Sequence, residues 1–186
     1  MGRLIWIGGK GMKKRIFATV LVVIMSLSLV PAAFAVEPQE QGTEEIISHS
    51  VNWVEPNKRI EITEYDLGDG FTATETVIDE YSVGLMRNSG TKKQTKTVDV
   101  KNGSSVAATI TVSGTFSYDG KKATVTSYSH DKDIKAGYVE TGWGASKGNS
   151  GLLNDAYVSA QLTVKQTSTS KSFSATAKVT CSKNGD

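Results

Sequence analysis

His49, His130 and Cys181 are the residues with most to offer an enzyme, in a chain of 186 residues with two histidines and one cysteine. A thiol beside an imidazole makes a nucleophile and its base. Cys181, however, closes the alternating series Phe173, Ala175, Ala177, Val179, Cys181. That phase points it inward with its apolar neighbours, so a buried structural thiol is predicted. Ser129-His130-Asp131-Lys132 contains an S-x-x-K spacing, but the S-D-N and K-T-G elements that accompany it in penicillin-recognising enzymes are missing, and the stretch reads as a polar loop. His130, Asp131 and Asp133 offer a cation too few ligands.

Glu64 and Asp66 stand two residues apart, so a strand would place them on one face about 7 Å apart, a separation that the paired carboxylates of a glycosidase can use. They share the phase of Ile60 and Ile62, on a face that turns polar towards the next turn, where an acid pair simply reaches water. Asp66 and Asp69 around Gly68-Asp69-Gly70 lack the spacing of an EF-hand. Asn102-Gly103-Ser104 fits a glycosylation sequon but reads as a turn. No metal and no cofactor is expected. Among the aromatic residues, Trp53, Tyr138, Trp143 and Tyr157 could make a stacking platform for the apolar faces of sugar rings. Trp143 leads, because Gly142-Trp143-Gly144-Ala145-Ser146-Lys147-Gly148-Asn149-Ser150-Gly151 reads as a glycine-rich loop. The competing reading is a ring folded back to plug the end of the domain.

The positioning elements begin after an address. Met12 is followed by Lys13-Lys14-Arg15, an uncharged and mostly apolar run over residues 16–30, and small residues at Ala33 and Ala35. That is the pattern of an export signal cleaved before Val36. At 15 residues the run falls short of the roughly 20 that a membrane span needs. The start is expected at Met12, or the basic region is unusually long, and Gly8-Gly9-Lys10-Gly11 lacks the spacing of a phosphate-binding loop. Val36, not cysteine, follows the cleavage site and no sorting signal ends the chain, so release into the medium is expected, with no membrane attachment after signal removal. Removing residues 1–35 discards Arg3, Lys10, Lys13, Lys14 and Arg15, which leaves 16 bases against 19 acids. The net charge then turns from +2 to about −3, and the basic balance gives no argument for nucleic acid. Residues 36–90 hold 12 acids and 3 bases, residues 91–186 hold 7 and 13, and these are expected to pair across the fold.

Residues 36–45 are polar and read as a disordered leader, and residues 46–186 as one domain. There the hydrophobic period is two, Thr, Ser, Val and aromatic residues dominate, and Pro56 is the last proline, so the domain is predicted to be all-β. A one-residue slip would turn every side chain to the wrong face, so register can be argued from phase. Around Asp119-Gly120 a two-residue turn sets Phe116 opposite Ala123 and Gly114 opposite Val125. Around Asn102-Gly103 only a three-residue loop with Gly103 left-handed matches the faces, and it sets Val98 opposite Val106. Residues 167–170 turn so that Val164 meets Phe173 and Leu162 meets Ala175. At Gly68-Asp69-Gly70 two registers stay open, Ile60 opposite Val77 or opposite Ile78. Eight or nine strands joined by short turns favour an antiparallel two-sheet sandwich, immunoglobulin-like in arrangement, though without a Cys…Trp…Cys spacing.

The stretch Val106-Ala107-Ala108-Thr109-Ile110-Thr111-Val112-Ser113-Gly114-Thr115-Phe116-Ser117-Tyr118-Asp119-Gly120, the strand Ala123-Thr124-Val125-Thr126-Ser127 and the ending Val179-Thr180-Cys181-Ser182-Lys183-Asn184-Gly185 resemble a group of small β-rich proteins exported by Gram-positive bacteria, common in clostridia and their relatives. The resemblance spans roughly residues 60–186 and implies host type and fold only. The function expected is that of a secreted, non-catalytic binding or structural module at the cell surface or in the medium. Its partner would be an extracellular protein, a cell-wall component or a glycan. The alternatives are a carbohydrate-binding module that presents Trp143 with Tyr138 or Trp53, and a glycoside hydrolase-like enzyme that uses Glu64 and Asp66.

Overall fold

In the computed structural model, residues 45–83, 89–150 and 154–186 are described. The export signal with Ala33, Ala35 and Val36, and residues 36–44 of the leader, lie outside them. Glu45, expected to end the leader, instead opens the first strand. All the described residues belong to one compact unit, Gln41–Asp186. They form nine strands, β1 (Glu45–Glu55), β2 (Lys58–Gly68), β3 (Phe71–Val83), β4 (Gly90–Asn102), β5 (Ser105–Tyr118), β6 (Ala123–Ile134), β7 (Tyr138–Ser150), β8 (Asp155–Gln166) and β9 (Ser172–Cys181). The alternation that predicted strands is the alternation of burial, cleanest in β9, where every second residue is buried.

Two antiparallel sheets result, one of six strands in the order β1-β2-β3-β4-β5-β6 and one of three in the order β7-β8-β9. The smaller sheet packs over β4, β5 and β6 of the larger. Each neighbour in a sheet is also the neighbour in sequence, so the sandwich is a meander. The immunoglobulin-like arrangement expected from the sequence needs a Greek-key return, and none occurs among the described strands. The physical reason is that every strand but β6, where the chain passes to the second sheet, pairs with the next one made. Between the layers lie Ile110, Val112 and Phe116 of β5 against Val158, Leu162 and Val164 of β8 and Val179 and Cys181 of β9, all essentially without exposure. Gly114 belongs to this packing, since a Cβ there would meet the Phe116 ring at 2.7 Å. The opposite face of the large sheet is hydroxylic, with Thr95 bonded to Ser113 at 3.0 Å and Thr97 to Thr111 at 3.3 Å.

Register follows phase more closely than it follows turns. β8 and β9 pair as predicted, Val164 with Phe173 and Leu162 with Ala175, which carries Cys181 inward opposite Ala156. Of the two registers open at Gly68-Asp69-Gly70, the one with Ile60 opposite Ile78 is adopted, with a bulge between Asp66 and Gly68. At Gly103 the left-handed φ of 58° is as predicted, but Val98 pairs with Ile110, not Val106. The turn is tight, Asn102 pairing with Ser105, and the extra residue that restores the faces is a bulge at Ala107. Ala107 and Ala108 are consequently both buried, which only small side chains allow. At Asp119-Gly120 the loop is four residues long, Tyr118 pairing with Ala123 and Phe116 with Val125. Asp119 Oδ1 accepts the Lys121 and Lys122 N–H groups at 2.9 Å, and these bonds hold its carboxyl below the usual range. A carboxylate that closes its own turn favours the wider loop over the two-residue one. The acidic and basic halves do pair, Glu75 with Lys96 at 2.7 Å and Glu80 with Lys93 at 3.6 Å.

Burial pushes the Cys181 thiol up to about 11. The thiol is therefore expected to resist a thiol-reactive disulfide reagent at pH 8 in the folded protein and to react fully once unfolded in guanidinium. Because the unfolded thiol ionises first, stability should fall as pH rises from about 9 towards 11, a trend that denaturant titrations at each pH would measure. Leu162→Ala, at a core position with no exposure, should cost about 2–5 kcal/mol in the same titrations.

Candidate functional site

The three-stranded sheet leaves β1, β2 and most of β3 uncovered, so these strands form a wing beyond the sandwich, reached at one end where the Phe71 and Phe173 rings lie 5.1 Å apart. On the side of the wing facing the smaller sheet, pairing aligns Val51 with Glu61 and with Val77, and Trp53 with Arg59 and with Asp79. The Ile60 and Ile62 phase points the other way, and Ile62 is exposed. In its first half β2 thus carries Arg59 and Glu61 inward and Ile60 and Ile62 outward, because the smaller sheet does not cover this part of the larger one.

At the root of the wing lies an ionic network. Asp79 is completely buried and Lys92 nearly so. Arg59 donates to Asp79 Oδ2 through Nη2 at 2.6 Å and Nε at 3.1 Å, and Gln94 Nε2 donates to Oδ1 at 2.6 Å. The Lys92 ammonium stands 3.6 Å from the same carboxylate and donates to the Thr180 carbonyl at 3.3 Å. Gln94 Oε1 accepts the Thr180 N–H at 2.7 Å. Two side chains of β4, held by Asp79 of β3 and through it by Arg59 of β2, therefore close the free edge of β9, where a fourth strand would otherwise pair. The hydrogen bond to Asp79 raises the Arg59 pKa, while burial, followed by the Asp79 charge, raises that of Tyr81. Over Tyr81 lies Trp53, with centroids 6.5 Å apart and planes at 29°.

Beyond that stack β1 is bare. All eleven of its residues are exposed, and Ile46, Ile47, Val51, Trp53 and Val54 account for five of the eight large hydrophobic residues exposed among those described. Trp53 is 61% exposed. His49 donates to or accepts from Thr63 Oγ1 at 3.1 Å and lies 4.0 Å from Glu61.

A second cluster fills the opposite side of the sandwich, where the edge strands β6 and β7 approach. Tyr128 and His130 are stacked 6.2 Å apart, and the His130 ring lies 5.9 Å from Trp143. The Lys132 ammonium stands 4.6 Å from the centre of the Trp143 ring and pairs with Glu140 at 2.5 Å, while that of Lys147 stands 4.2 Å from Tyr128. These are cation–π contacts, and they cap the ring faces that a sugar would need.

The sequence-predicted site residues are thus dispersed. Trp143 lies on β7 opposite Leu162, partly buried against the core. Over residues 142–150 the expected glycine-rich loop is a strand paired with β8, and Gly148 gives room to the Tyr157 ring, which a Cβ would meet at 3.2 Å. Tyr138 lies at the end of the sandwich, its hydroxyl accepting from Asn102 at 3.1 Å and its ring on edge to Phe173. Trp53 is on the wing. The three do not share a groove. Ser129-His130-Asp131-Lys132 is strand, not loop, because it pairs with residues 110–113 of β5. Neither histidine is brought to Cys181, which faces the core from β9. Glu64 and Asp66 lie on the hydroxylic face, Asp66 accepting the Gly68 N–H at 2.7 Å. The Asp79 network was missed, though a signal existed. Asp79 shares the phase of Phe71 and Ala73, and Lys92 and Gln94 share that of Val98 and Val100, so charges stood at inward positions.

Comparison of the chain with family models, with curated proteins and with solved structures finds no match. The network itself is testable. Asp79→Ala removes the partner of a buried ammonium and is expected to cost about 3–5 kcal/mol in chemical denaturation, far more than Glu64→Ala at the surface.

Proposed function

We propose that the protein is exported and works outside the cell as a non-catalytic interaction module, with the β1 wing as its docking surface. The single observation that supports this is the wing itself, a rigidly rooted sheet edge whose outermost strand carries five exposed large apolar side chains. Contiguous exposed apolar surface on a monomer marks an interaction site, and a free strand edge offers main-chain hydrogen bonds to an incoming extended chain. The pattern of Lys13-Lys14-Arg15, the apolar run after it, and Ala33 and Ala35 supports export. So does the likeness of residues 106–120 to β-rich exported proteins of Gram-positive bacteria. The glycan-binding reading has less support, since Trp143, Tyr138 and Trp53 lie apart and Lys132 caps the Trp143 ring. The hydrolase reading has less still, since Glu64 and Asp66 stand on an open sheet face.

Purified protein should be retained by at least one of immobilised cell wall, glycans, culture-supernatant proteins and its own copies. Replacing Val51 and Trp53 together with Ala should reduce that retention at least tenfold, with Trp143→Ala and Glu64→Gln close to wild type. Loss with Trp143→Ala alone would transfer the function to the β6–β7 cluster, and absence of retention on every support would overturn the reading.

A further inference from the structure

Among the described residues, β1 closes one side of the six-stranded sheet and pairs only with β2. Alternate residues therefore direct N–H and C=O groups outward beyond the ladder. Edges of this kind are normally guarded by lysine, proline, inward charge or bulges. β1 has no lysine or proline, and its bulges fall near its two ends, at Ile47 and Val54, which leaves residues 48–53 as a regular edge. Its inner row is His49, Val51 and Trp53, and its outer row is Ser48, Ser50 and Asn52.

We propose that β1 pairs antiparallel with β1 of a second copy about a two-fold axis through Val51, joining two six-stranded sheets edge to edge. This rests on the reading of the wing as a docking surface and names its partner. A two-fold axis normal to the sheet keeps inner faces together, so each residue must meet one of its own phase. Few registers satisfy this, and charge separates them. An axis through Ser50 sets Glu45 against the partner's Glu55 at both ends, a like-charge pair made twice. An axis through His49 sets two imidazoles against each other and Trp53 against the partner's Glu45. An axis through Asn52 leaves Ile46 and Ile47 unpaired. With Val51 on the axis, the two Val51 side chains meet, His49 faces the partner's Trp53, and Ser50 faces the partner's Asn52. Glu45 then lies opposite the partner's Asn57 and Glu55 opposite the partner's Ile47, so no like-charge pair is made. The inner rows of the two copies lie side by side on one face, and the outward backbone groups of both strands enter one ladder.

Sedimentation equilibrium of the purified protein is expected to show a concentration-dependent dimer. Val51→Lys, which brings two ammonium groups together at the axis, should weaken dimerisation at least tenfold without changing the thermal midpoint by more than a few degrees, because Val51 is exposed. Register is read by cross-linking. Under mild oxidation Val51→Cys should form a covalent dimer, since facing residues lie about 5 Å apart. His49→Cys should not, because its counterpart lies four residues further along, roughly 13 Å away. A cross-link through His49→Cys but not Val51→Cys would overturn the register. A monomer at every concentration, with neither variant cross-linked, would overturn self-pairing. If that monomer were still retained by another support through Val51 and Trp53, the docking reading would stand while the second copy was lost as partner.

Discussion

The arrangement turns on the contact that holds the edge of β9 against the large sheet. A three-stranded sheet laid on a six-stranded one leaves a step, and at that step β9 presents backbone groups without a neighbouring strand. Gln94 and Lys92 take the place of that strand at Thr180, and Asp79 holds both while it is itself held by Arg59. A buried carboxylate is tolerable only with such a set of donors, because desolvation would otherwise exceed the attraction of one partner. The network thus fixes where the smaller sheet stops and where the wing begins.

From that fixed boundary the two characters of the large sheet follow. Under the smaller sheet, β4 and β5 bury Val98, Val100, Ile110 and Val112. Past the boundary the same side of the sheet carries Arg59, Glu61 and Glu75, with Glu75 neutralised by Lys96. The acidic first half and basic second half of the exported chain meet across β3 and β4, so much of the charge asymmetry is consumed within the sheet. What remains at the far edge is β1, apolar and poor in charge, held by one strand.

The bulges show how a meander keeps its faces in order. Each hairpin must present the same side of both strands to the core, and the shortest turns do not always allow it. At Ala107 an added residue corrects the phase, and two alanines share the space that one larger side chain would fill. In the β5–β6 hairpin the four-residue loop, stabilised by the Asp119 carboxylate, leaves the phase unchanged, and the added residue is Thr126, bulged from β6. The requirement for matched faces is strict, whereas the place where a residue is added is settled by local sterics.

The all-β class, the strands β5, β8 and β9, the inward series ending at Cys181 and the β8–β9 register were legible in the sequence, because they depend only on a period of two and on turn residues next to one another in the chain. The two-residue separation of Glu64 and Asp66 was legible for the same reason. That their face opens to water was read from its turning polar towards the next turn, but which strands the smaller sheet covers was not, since a strand's two faces look alike until another layer covers one of them. Gly142 to Gly151 read as a loop because glycine is a poor strand former, whereas pairing with β8 holds residues 142–150 as strand. The dispersal of Trp53, Tyr138 and Trp143 and the bare β1 edge were decided by tertiary structure alone, and so were the partners of Asp79, of which the sequence showed only charges at inward positions. They depend on which strands the smaller sheet covers, and that is a matter of contacts between residues as far apart as Gln94 and Thr180, on which a local pattern carries no information.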